Sequence, residues 1–86
     1  DRTDRGSLLE VANIRYDAGD YETAGKYYAT YRTVARQQSA RGLWLGIRLA
    51  QATGDEDAEA SYVLALTSLY PNSAEYQAYQ RSRAGE

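Results

Sequence analysis

The chain has 86 residues, with ten Lys and Arg against twelve Asp and Glu and a formal net charge of −2. It contains no Cys and no His, which removes disulfides, thiolate nucleophiles, imidazole bases and nearly all zinc chemistry. Charges of both signs are mixed along the sequence without the basic stripe that tracks a phosphate backbone, so nucleic acid is not an expected partner.

A chain of this length is expected to form a single domain, 1–86, with a real but small core. It begins at Asp1 without Met, and neither a membrane-spanning run nor a signal-peptide core is present, so it reads as a piece of a longer protein. Ala, Leu, Glu, Gln and Arg are plentiful, Pro71 is the single proline, and no period-two alternation is sustained, so the reading is all-α.

Asp4 or Ser7 is placed to cap a first helix near 5–18. Gly19 and Asp20 then open a second near 21–36, with Glu22 in its first turn against the positive end of the helix dipole. Ala24, Tyr27, Tyr28, Tyr31, Val34 and Ala35 give this helix its apolar stripe. Ser39 opens a third helix near 40–53, whose "GLWLGIRLAQA" is apolar nearly all round, as suits a helix between two neighbours. This helix is the expected centre of the core, with Trp44 filling the core or a seam. Arg41 and Arg48 are expected at solvent or beside acids, and Gly25 and Gly46 at close helix approaches. Asp55 opens a fourth helix near 56–70, with Ala58, Tyr62, Ala65, Leu66 and Leu69 on one face. After the break at Pro71-Asn72, Ser73 opens a fifth near 74–83. That last helix offers Tyr76, Ala78 and Tyr79 inward and Gln77, Gln80, Arg81 and Arg83 outward, the pattern of a terminal cap.

The chain also matches itself at a shift of 34 residues: Leu9 falls on Leu43, Ala12 on Gly46, Ala24 on Ala58 and Tyr28 on Tyr62. Gly19 and Gly54 are one place out of that register, which predicts that the turn inside the second unit is a residue longer or differently shaped. The expected organisation is repeat 1 over 5–38, repeat 2 over 39–72, and a capping helix and tail over 73–86.

The acidic runs Asp17 to Asp20 and Asp55-Glu56-Asp57 lack the ligand order of a calcium loop and read as turns and N-caps. Glu10, Asp17, Glu22 and Glu59 fall at solvated helix positions, and no His or clear Lys base stands ready to activate Ser7, Ser39 or Ser73. No catalytic, cofactor-binding or metal-binding residues are assigned, and no cofactor is expected.

Small residues at close approaches, followed by a bulky ring one turn later, resemble tetratricopeptide repeats. The structural positions of that pattern are Ala12, Gly19, Ala24 and Tyr28 in the first unit and Gly46, Ala58, Tyr62 and Pro71 in the second. The first unit departs from it where Arg15 replaces a large residue. The implied fold is a tetratricopeptide-like right-handed α-solenoid of two helix-turn-helix repeats plus a C-terminal capping helix. Beyond that consensus, "LWLGIRLA", "GDEDAEASY" and "LYPNSAEYQAY" are similar to the C-terminal part of the type IV pilus biogenesis lipoproteins of the PilF/PilW pilotin family. The resemblance implies a non-catalytic protein scaffold at the periplasmic face of a Gram-negative outer membrane. Its partner would be a pilus secretin subunit, and its contact with the membrane would be only through an N-terminal lipid anchor absent from this sequence.

In such stacks the first helix of each pair lines the concave face. By position this gives Leu9, Asn13, Tyr16 and Asp17 from the first unit and Leu43, Ile47, Ala50 and Gln51 from the second. Asn13, Tyr16, Asp17, Ile47 and Gln51 are the candidate partner-binding residues, with the two amides available to a peptide backbone and Tyr16 to an apolar side chain. Two other roles fit the same sequence: a stabilising end of a longer array, or an assembly module that self-associates.

Overall fold

The computed structural model describes residues 5–35 and 37–84, and within them the chain is built from five helices. These are α1 (Arg5–Asp17), α2 (Tyr21–Val34), α3 (Ala40–Thr53), α4 (Glu56–Leu69) and α5 (Ala74–Ala84). Each helix stands where the sequence puts it, with ends within two residues of expectation. Asp4 and Arg36 lie outside the described residues. No helix among the described residues is long and apolar enough to cross a membrane.

The helix starts follow side-chain chemistry. Asp20 accepts a hydrogen bond from the Thr23 N–H at 3.2 Å, and Asp55 accepts one from the Ala58 N–H at 3.1 Å. Ser39 and Ser73 take the N–H groups of Gly42 and Tyr76, each at 3.0 Å. Each cap satisfies one backbone donor that has no carbonyl partner inside its own helix. Ser7, the alternative cap for the first helix, instead lies within α1.

The chain divides into two compact units, Asp1–Gln38 and Ser39–Glu86. In the first, α1 packs against α2, and Leu8, Leu9, Ala12, Ala24, Tyr28, Tyr31 and Ala35 are buried. Tyr28 and Tyr31 stack with centroids 5.7 Å apart, and the Tyr28 hydroxyl donates to Gln38 Oε1 at 2.7 Å. A buried phenol thus has its polar end satisfied, as the helix-spaced tyrosines suggested. Two members of the expected α2 stripe lie outside the buried seam: Tyr27 is 39% exposed and Val34 40%. The buried set 24, 28, 31 and 35 is a narrow line along one side of the helix, which is what packing on a single neighbour within the unit covers.

In the second unit α3 packs against both α4 and α5, which accounts for its being apolar on nearly all sides. Ile47 and Leu66 are fully buried and Leu43 almost so; Trp44, Tyr62, Val63, Tyr70, Tyr76 and Tyr79 pack around them with partial exposure. Tyr76, Ala78 and Tyr79 on α5 are half-buried, while Gln77, Gln80, Arg81 and Arg83 face water. Leu69, expected on the inner face of α4, is 50% exposed, and the inner line runs through Leu66.

The two turns inside the pairs decide between the two alternatives the sequence left open. Gly19 and Gly54 both adopt left-handed backbone, with φ of 83° and 75°, and each is followed by the Asp that caps the next helix. In both, the Asp N–H reaches back five residues, Asp20 to the Arg15 carbonyl and Asp55 to the Ala50 carbonyl, each at 2.9 Å. The second turn is not longer but is differently shaped: the Gly19 N–H bonds the Tyr16 carbonyl three residues back, whereas the Gly54 N–H bonds the Ala50 carbonyl four back. The extra residue lies in α3 ahead of Gly54, so α2 and α4 correspond at a shift of 35 rather than 34. Counted from the caps, Leu66 takes the place of Tyr31, and Val63 that of Tyr28.

Gly25 also departs from expectation. A Cβ built there would meet no described atom within 4 Å, so α1, the other helix of its unit, does not approach closely at this position. Replacing it with Ala should therefore stabilise the chain by about 0.5–1 kcal/mol, through helix propensity and the entropy of the unfolded chain. Leu66→Ala should cost about 2–5 kcal/mol, the usual penalty for a cavity at a fully buried leucine. Urea titrations of both variants, followed by circular dichroism and by the fluorescence of Trp44, would read these shifts.

Candidate functional site

Asn13, Tyr16 and Asp17 share a stripe of α1 at i, i+3 and i+4, set there by helical periodicity alone. Asn13 and Tyr16 are half-buried and Asp17, the last residue of the helix, is exposed. The Tyr16 ring leans on Tyr21 across the turn, with centroids 5.2 Å apart and planes inclined by 53°. Tyr21 is itself 40% exposed, so the pair forms a ring surface at the turn end of the first unit. Leu9, from the same helix, is buried.

On α3 the candidates separate by depth. Leu43, Ile47 and Ala50 are buried, with Ile47 at zero exposure in the middle of the second unit's core. Gln51, one turn beyond Ile47, is exposed and donates through Nε2 to Glu59 Oε2 on α4 at 2.9 Å. Of the α3 candidates, Gln51 is the one a partner can reach without opening the core.

Gln51 also belongs to a feature that the sequence did not announce. A cleft of about 410 Å³ is lined by Ala50, Gln51 and Gly54 at the end of α3, Glu56 and Glu59 in the first turn of α4, and Ser82 and Arg83 on α5. Its carboxylates sit where the α4 dipole is positive, which favours them independently of any ligand. Glu59 is readable as a partner of Gln51 only once the turn is known, since the tight Gly54-Asp55 reversal brings together residues eight apart. Ser82 and Arg83 carry no sequence signal for the cleft beyond being polar.

The aromatic centre of the second unit is partly accessible. Trp44 meets Tyr79 edge-on at 6.4 Å, and the Arg48 guanidinium lies 6.0 Å from the Trp44 ring centroid. Trp44 is half-buried and packed against the core cluster, in line with a core or seam role, and Arg48 covers it one helical turn on.

The remaining repeat positions distribute as follows. Ala12 and Ala24 have zero exposure, Tyr28 is almost fully buried and Gly46 is buried. Ala58 and Tyr62 are half-buried, and Pro71 is exposed in the break before α5. Among the described residues no group of three or more acidic side chains is arranged to hold a metal ion. Asp20 and Asp55 serve as caps, Glu22, Glu56, Asp57 and Glu59 as first-turn charges, and Asp17 ends α1.

The fold lowers the pKa of Asp20. Hydrogen bonds from Thr23, side chain first and then backbone, hold it below the ordinary value of 3.8; desolvation opposes them, and the charges of Arg15 and Lys26 add weaker attraction. Because its affinity for a proton is lower folded than unfolded, its stabilisation is complete above the unfolded value. It is lost as pH falls through the folded one. Asp20→Asn keeps the capping oxygen but cannot titrate, so its acid unfolding profile should be flatter than wild type below pH 3.8. Parallel profiles would place the acid sensitivity elsewhere.

No family model matches the chain. It is 44% identical over 75 residues to the type IV pilus assembly protein PilF of Pseudomonas aeruginosa, an alignment covering 87% of this chain and 29% of that protein. A solved structure from the functional characterisation of Pseudomonas aeruginosa PilF superimposes with a TM-score of 0.87 at 41% identity. That match covers 95% of this chain and 36% of the other. The chain thus spans less than a third of the curated relative. The fold is the all-α, tetratricopeptide-like helical repeat.

Proposed function

We propose that this chain, a PilF-like set of tetratricopeptide repeats, is a non-catalytic protein-binding module of type IV pilus assembly. The observation that carries the reading is the 44% identity sustained over 87% of the chain. In this reading the module belongs to a pilotin at the periplasmic face of the outer membrane, held there by a lipid anchor on a preceding segment. It assists a pilus secretin subunit in reaching the membrane and assembling.

The partner surfaces we assign lie on the first helix of each unit, each taken by itself. Asn13 and Gln51 offer amide groups to a peptide backbone, Tyr16 with Tyr21 offers rings to an apolar side chain, and Asp17 offers a charge at the rim. Ile47 supports the α3 surface of the second unit from beneath. Each unit offers only a few such residues, so the affinity of this chain alone is expected to be modest.

Calorimetric titration with the soluble periplasmic domains of a pilus secretin tests the reading directly. Tyr16→Ala and Asn13→Ala should each weaken binding about 5–30-fold, the range of a moderate interface contact, with circular dichroism unchanged. If the folded wild type does not bind while a longer form carrying the preceding repeats does, these repeats are the stabilising end of the array.

A second reading, self-association, is favoured by one observation: Leu64 is 68% exposed and Leu69 50%, within a stretch from Ala60 to Ala74 that carries no charge. Sedimentation over a wide concentration range should then show a dimer that Leu64→Glu abolishes. A monomer throughout would remove this reading.

A further inference from the structure

We draw no further inference here: the strongest candidate, the cleft of the second unit between the ends of α3 and α5 and the first turn of α4, is an acidic cluster at a helix N-terminus, and among the described residues no buried unpartnered polar side chain points to what would fill it.

Discussion

The fold depends on a two-residue device used twice, a glycine in left-handed backbone followed by an aspartate whose carboxylate caps the next helix. The glycine stops one helix and reverses the chain, and the aspartate starts the next within a single step. The reversal is so short that each pair of helices must lie side by side. The seam in the first unit and the α3–α4 contact in the second both follow from it.

Between the turns, stability rests on a small apolar centre extended by tyrosine. With nine Tyr and no Phe, the chain surrounds its few fully buried aliphatic residues with rings whose bodies face the core and whose hydroxyls can reach water or an acceptor. Tyr28 shows the arrangement in the first unit's seam, with its hydroxyl bonded to Gln38. Tyr62, Tyr76 and Tyr79 show it at the edge of the second unit. A domain too small for a broad interior gains apolar contact this way without leaving polar atoms stranded; among the described residues no buried side-chain polar atom lacks a partner.

The features legible in the sequence were those fixed by local chemistry. The caps at Asp20, Ser39, Asp55 and Ser73 could be read because capping involves neighbours three residues apart. What depends on tertiary distance was read less well. The 34-residue match of Ala24 with Ala58 and Tyr28 with Tyr62 rested on residue type, whereas place in the helix is counted from the cap and runs at 35. Tyr27 and Val34 have the spacing of a buried face, but burial depends on how many helices are near, which periodicity does not encode. For the candidate site, the shared stripe of Asn13, Tyr16 and Asp17 was legible from helical spacing. The depth of Ile47 and the Gln51–Glu59 bond were not, because both are set by how α3 meets its neighbours.

The two turn glycines separate size from handedness. A Cβ added at Gly19 or Gly54 would meet no atom within 4 Å, so these positions have room for a side chain and lack only a backbone that an L-residue adopts comfortably. The requirement is chiral. A D-alanine introduced there by chemical synthesis would fit the same torsion angles and leave the unfolded chain fewer conformations than glycine does. The glycine in these turns is thus the ribosomal alphabet's substitute for a mirror-image residue.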